Sequence, residues 1–167
     1  MKNLKMRQSE RKIRMLVMDV DGTLTDGSIY VSASGEAVKA FHVKDGYGIK
    51  NRLPVYDILP VIITGRQSTI LQIRAEELGI EYLFQGVEDK RQVLRDLAEK
   101  LGVAYTEIAC IGDDLNDMPM MELCGVVGCP CDAIKEVKRR SHFISEYAGG
   151  HGAVRDFIEW LIEKEEK

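Results

Sequence analysis

Four short clusters in this chain carry side chains suited to holding and moving a charged group. They are Asp19-Val20-Asp21-Gly22-Thr23, Thr64-Gly65-Arg66, Lys90, and Gly112-Asp113-Asp114-Leu115-Asn116-Asp117. In extended chain, residues two apart share a face, so Asp19 and Asp21 both point into one crevice while Val20 packs inward. Carboxylates that close repel unless a cation or a shared proton relieves them, and hard oxygen ligands suit Mg²⁺. If the Asp113, Asp114 and Asp117 cluster meets the first, five carboxylates face one point. A metal explains such charge density; helix capping does not, since Asp117 or Asn116 alone would cap the helix around Met120. Thr64-Gly65-Arg66 offers a hydroxyl, an approachable backbone and a cation, groups that bind phosphate oxygens. Thr64 or Ser68 could equally just begin the helix through Ile70. Lys90, next to Glu88 and Asp89, is an ordinary surface lysine unless the fold brings it to the carboxylates.

Each cluster follows a short apolar run of the kind that forms a strand buried on both faces of a parallel sheet: Leu16–Val20, Val61–Thr64, the weaker Tyr82–Phe84, and Ile108–Ile111. Val126–Val127 is a further run. Helix-period segments alternate with these, around Ile70, Ile73 and Glu77, and along Val93, Leu94, Leu97, Ala98 and Leu101 before Gly102. The expected fold is α/β, a doubly wound parallel sheet that collects ligands at the carboxyl ends of its strands. One segment breaks the rhythm. Residues 27–43 carry Ile29-Tyr30-Val31, Ser34-Gly35, then Val38, Phe41 and Val43, and predict a projecting β-hairpin. A short helix near Gly46 to Leu53 follows, and no cap domain fits between Asp19 and Thr64. Residues 148–167 form a glycine-rich tail, Gly149-Gly150-His151-Gly152, leading into the helical stripe Val154, Phe157, Ile158, Leu161 and Ile162.

With 167 residues, the chain fits one domain. Residues 1–13 are expected to be a flexible leader and 14–167 the domain. A net charge of -4 argues against a nucleic-acid surface. No apolar run reaches the roughly 20 residues that span a bilayer, and the start lacks a secretory signal pattern, so the cytoplasm is the expected location. Cys110, Cys124, Cys129 and Cys131 lack the spacing of a zinc site.

The order DxDGT, Thr-Gly-Arg, Lys, GDDxxD over Asp19 to Asp117 resembles the haloacid dehalogenase superfamily. That resemblance implies Asp19 as nucleophile, Asp21 as general acid and base, and Thr64 and Lys90 holding the transferring phosphoryl group. It places Mg²⁺ on Asp19, the Asp21 carbonyl and Asp113, with Asp114 and Asp117 in support. A closer likeness, from about Arg14 to Lys164, is to the capless sugar-acid phosphatases acting on 3-deoxy-D-manno-octulosonate 8-phosphate in lipopolysaccharide synthesis. Asp26-Gly27, Lys44-Asp45-Gly46-Tyr47-Gly48-Ile49 and Gly149 to Arg155 carry it. In that group hairpins assemble a homotetramer and the glycine-rich tail, here carrying Arg155, reaches a neighbour's active site; with Thr64, Gly65 and Arg66 of the Thr-Gly-Arg motif and Lys90, Arg155 is thus a substrate-binding candidate. Three alternatives stay open: a nine-carbon sialic-type sugar acid 9-phosphate as substrate, a phosphoacceptor signalling domain, and an inactive assembly subunit.

Overall fold

The computed structural model describes residues 12–166. Six parallel strands form one sheet in the order β5-β4-β1-β6-β7-β8. They are β1 (Met15–Met18), β4 (Leu59–Ile63), β5 (Tyr82–Phe84), β6 (Ile108–Ile111), β7 (Val126–Cys129) and β8 (Phe143–Ile144). β1 lies at the centre, paired with β4 along Val17↔Val61 and with β6 along Val17↔Cys110. Its four residues are all fully buried because both faces of the sheet are covered.

The alternation of side chains along the strands splits the core in two. Leu16, Met18, Ile62 and Ile111 pack on one side with α2 (Thr69–Leu78) and α6 (Ala153–Glu165). Met15, Val17, Val61, Ile63 and Cys110 pack on the other with α3 (Lys90–Leu101), α4 (Met118–Met121) and α5 (Lys135–Arg140). Burying a Leu, Ile, Val or Phe side chain is worth about 1.5–3 kcal/mol, so each layer is a main source of stability.

The predicted hairpin is present as β2 (Tyr30–Ser32) and β3 (Gly35–Val38), antiparallel with Tyr30 opposite Val38. It leaves Ile29, Tyr30, Val31 and Val38 exposed. The expected helix after it starts earlier and is broken: α1 (Val43–Tyr47) runs on into a π-helical turn, Gly48–Arg52, and a 3-10 turn, Leu53–Tyr56. Among the described residues nothing larger than this hairpin and helix separates β1 from β4, so no cap domain sits there.

Both ends of the described chain pack into the domain. Residues 1–11 of the expected leader lie outside the described residues, whereas Ile13 is buried in the core, so the domain already includes it. Gly149 and Gly150 lie against the chain's own first loop, with Gly150 N–H donating to Thr23 O at 3.0 Å. The approach is so close that a Cβ on Gly149 would sit 1.9 Å from Gly22 O. Beyond them α6 buries Val154, Phe157, Ile158, Leu161 and Ile162. Its N-cap, Gly152, brings no side-chain cap. Asp45 of α1 supplies one from across the fold, accepting from Arg155 N–H at 2.8 Å.

Candidate active site

The carboxyl ends of β1, β4 and β6 bring three of the four clusters together, and the start of α3 brings the fourth. β1 stops at Met18, and the chain turns at Asp21 and Gly22, where Gly22 takes φ +93°. Only glycine fits there, since a Cβ would also strike the Asp113 carboxylate at 2.2 Å. Asp19 is buried at the strand end, and Val20 packs into the core as expected.

Lys90 is no surface lysine. It is the first residue of α3, its side chain is 2% exposed, and its Nζ donates to Asp19 Oδ1 at 2.6 Å and to Asp117 Oδ1 at 2.7 Å. Asp89, the N-cap of α3, accepts from Gln92 N–H and fixes where that helix begins, which in turn aims Lys90. Asp117 uses its other oxygen to accept from the Asp113 and Asp114 N–H groups at 3.0 and 3.3 Å. Both Asp117 oxygens are thus committed to shaping the loop and holding Lys90. Asp113 Oδ1 accepts from the Thr23 hydroxyl at 2.9 Å.

One carboxylate oxygen each from Asp19, Asp113 and Asp117 lies within 4.8 Å of the others. The convergence is therefore of three carboxylates and not the expected five. Asp114 is exposed and accepts from its neighbour Leu115 N–H. The Asp21 side chain turns from the cluster toward the hairpin, where Lys39 pairs with Oδ1 and Arg66 stands 3.8 Å from Oδ2. The reason is local: the strand ends before Asp21, so the two-residue alternation no longer governs it.

Thr64 is buried at the end of β4, and its N–H donates to Phe84 O at 2.9 Å. The N-cap of α2 is Ser68, whose side chain accepts from Leu71 N–H. Thr64 is thereby released from capping, and Gly65 and Arg66 stand exposed at the same sheet edge. Arg155, by contrast, is bound to Glu159 at 2.6 Å and lies over the Tyr47 ring at 5.1 Å. The fold of α6 against α1 holds it among those groups, and none of its described contacts is with a residue of the carboxylate cluster. Lys39 and Glu36, both from the hairpin arm, are site neighbours that sequence reading passed over; their signal, two charges three apart on a β-rich arm, is indistinguishable from solvent-facing polarity.

The electrostatics fit a cation. Burial, then the neighbouring Asp117 carboxylate, push Asp19 up to about 6 despite Lys90. Burial, then Asp19 and Asp117, push Asp113 up to about 7. Burial pulls the Lys90 ammonium down, but Asp19 and Asp117 outweigh it and hold it above its ordinary value. Asp19 and Asp113 thus lack enough positive charge nearby, and with their hard oxygens they suit a divalent ion. Both carboxyls titrate from 3.8 in the unfolded chain to higher values in the fold. The stability they contribute is full below about pH 4 and is lost as pH rises through about 6 and 7. Metal-free protein should therefore melt lower at about pH 8 than at about pH 5.5, and millimolar Mg²⁺ should raise the melting temperature more at the higher pH, where it displaces no protons. Circular-dichroism melts with Mg²⁺ or a chelator check this; an equal Mg²⁺ effect at both values would contradict it.

Such a site can set a carboxylate nucleophile beside a buried ammonium, a threonine hydroxyl and a metal, the requirements of phosphoryl transfer. The sequence relatives agree. A model of the haloacid dehalogenase-like hydrolases matches residues 73–158. The 3-deoxy-D-manno-octulosonate 8-phosphate phosphatase KdsC of Escherichia coli (strain K12) is 44% identical over 150 residues, covering 90% of this chain and 79% of that protein. Among solved structures, the cobalt-bound deoxy-D-mannose-octulosonate 8-phosphate phosphatase (YrbI) of Haemophilus influenzae superposes with a TM-score of 0.90 at 38% identity, covering 96% of this chain and 93% of that one. The Moraxella catarrhalis 3-deoxy-D-manno-octulosonate 8-phosphate phosphatase, in complex with magnesium, phosphate and KDO, gives 0.88 at 37% identity, covering 93% and 88%. With a buried lysine between paired aspartates and relatives of this closeness along most of its length, the chain belongs to the haloacid dehalogenase-like hydrolases and is a phosphoric monoester hydrolase.

Proposed function

We propose that this chain is a Mg²⁺-dependent phosphatase of 3-deoxy-D-manno-octulosonate 8-phosphate, working through a phospho-aspartyl intermediate on Asp19. The observation that carries the mechanism is Lys90, buried and bonded to Asp19 and Asp117 at once. It holds the Asp19 carboxylate in one orientation and places a positive charge where phosphoryl oxygens would gather. The named relatives carry the substrate.

In the first half-reaction an Asp19 oxygen attacks phosphorus, the ester P–O bond breaks, and Asp21 gives its proton to the departing sugar oxygen. In the second, Asp21 takes a proton from water, the hydroxide oxygen attacks phosphorus, and the acyl-phosphate bond breaks to restore Asp19 and release inorganic phosphate. Lys90, the Thr64 hydroxyl and the Gly65 N–H hold the phosphoryl oxygens throughout, and Asp117 keeps Lys90 and the Asp113 loop in place. Asp19, Asp113 and the main-chain carbonyl of Asp21 would hold Mg²⁺, which offsets charge on the transferring group. Arg66 lies on the leaving-group side, where its fork suits a sugar carboxylate.

The site is open within one chain, and the exposed Ile29, Tyr30, Val31 and Val38 of the hairpin support assembly of several copies, a tetramer by analogy with capless phosphatases. The four free cysteines support a cytoplasmic enzyme. Among the described residues no helix is long and apolar enough to cross a membrane.

The deciding experiment measures phosphate release with Mg²⁺ from the eight-carbon sugar-acid phosphate, a nine-carbon sialic-type 9-phosphate and hexose phosphates. A kcat/KM at least about tenfold higher for the eight-carbon acid is expected. Preference for the nine-carbon acid would move the substrate and keep the mechanism; no release from any ester would end the phosphatase reading.

A further inference from the structure

A second charged cluster lies beside Asp21, built by the hairpin and the loop after β4. Lys39, just past β3, is 4% exposed at its side chain and pairs with Asp21 and, at 3.3 Å, with Glu36 Oε1. Glu36 accepts a hydrogen bond from the Ser68 hydroxyl through its other oxygen. From the opposite side Arg66 places Nε 3.8 Å from Asp21 Oδ2 and Nη2 3.8 Å from Glu36 Oε1.

The two cations are held very differently. Lys39 is enclosed, whereas the Arg66 side chain is 48% exposed and meets both acids well beyond the roughly 2.7–2.9 Å of a charged hydrogen bond. Glu36, only 15% exposed, is anchored by Lys39 and Ser68 whether or not Arg66 touches it. A carboxylate arriving from solution can therefore take Arg66 with two parallel hydrogen bonds while Glu36 keeps its other partners, so the exchange leaves no buried charge unpaired. A small free anion must instead compete with a tethered one, whose effective concentration is in the millimolar range.

We propose that Glu36 is a built-in surrogate for the substrate's carboxylate: it occupies Arg66 loosely in the resting enzyme, and the acid end of the substrate displaces it. The inference rests on the phosphatase reading above, because the leaving alcohol must lie beside Asp21 and hence beside Arg66. A sugar phosphate with no carboxylate has nothing to exchange for Glu36, so Arg66 selects acids among phosphate esters and Glu36, by competing for it, sets how strong that selection is.

The test uses the full chain with Glu36→Gln and Arg66→Gln. Calorimetric titration with free 3-deoxy-D-manno-octulosonate, which requires no turnover, reads the subsite alone. The ratio of kcat/KM for its 8-phosphate to that for arabinose 5-phosphate, a carboxylate-free ester, reads selection. Removing the competing anion should tighten binding of the free acid to Glu36→Gln about two- to fivefold, the size of one half-exposed ion pair, and raise the ratio by a similar factor. Arg66→Gln should weaken binding of the acid and lower the ratio about tenfold. Weaker acid binding by Glu36→Gln, an equal effect on both esters, or no binding of the acid to the parent chain would overturn the proposal. Should Glu36→Gln fail to fold, an unchanged ratio in Arg66→Gln would overturn it alone. Loss of the underlying reading has a separate signature: no phosphate from any ester in the parent chain, with the calorimetric result still deciding the subsite.

Discussion

Asp19→Asn should release phosphate at least about 10³-fold more slowly than the parent chain, with its fold unchanged. The amide oxygen can still accept from Lys90 Nζ, so the contact that aims residue 19 survives. What disappears is the nucleophile and one of three crowded negative charges. Since Asp19 carries a carboxyl pushed up to about 6 by burial and by Asp117, the neutral replacement removes an unfavourable charge at neutral pH. The metal-free variant should melt at or above the parent temperature while turnover vanishes. Measured side by side, a calorimetric melt and a phosphate-release assay separate these two effects. Parent-like activity would sink the assignment of Asp19.

Lys90→Met should fail on both counts. The methionine fills much of the same space, but Asp19, Asp117 and Asp113 are left together without the buried ammonium that two of them contact. Removing one partner of a buried pair costs about 3–5 kcal/mol, and losing a preorganised charge at the phosphoryl group costs about 10²–10³ in kcat. Urea unfolding should show the stability loss shrinking toward acid pH, where the carboxyls can take up protons, and shrinking with added Mg²⁺. The contrast is diagnostic: one substitution silences a stable protein, the other weakens the protein as well. A Lys90→Met chain as stable as the parent would mean that the three acids are relieved by something other than this lysine.

The parts of this site that were legible in the sequence are those set by regular structure. Apolar runs located β1, β4, β5 and β6, and parallel topology then required that Asp19, Thr64 and Asp113 gather at one edge. Lys90 was readable only through the family's motif order, because nothing local marks a lysine at a helix start as buried. The failures share a cause in tertiary contact. Asp21 was assigned by strand alternation, yet the strand ends three residues earlier. Within one chain the glycines beside Arg155 fold onto the Gly22–Asp26 loop and leave the arginine with Glu159, so its place at a neighbour's site depends on a second copy that sequence pattern alone does not position. The strand β8 and helix α5 were missed since Phe143-Ile144 is too short, and Lys135–Arg140 too charged, for periodicity to register. Glu36 and Lys39 escaped because a hairpin that leans on the site looks, residue by residue, like one that does not.

The contact of Gly149 and Gly150 with the first loop, backed by α6 beneath the sheet, has a consequence for how the enzyme comes into being. The loop bearing Asp21 and Gly22 leaves the ribosome well before the backbone it rests on and the helix that completes one half of the core. Domains are made from the amino end at about 5–20 residues per second, so a growing chain carries its nucleophile for several seconds on an unfinished support. A chain stalled or cut before α6 lacks that support and should be silent, and catalysis waits until α6 has been made.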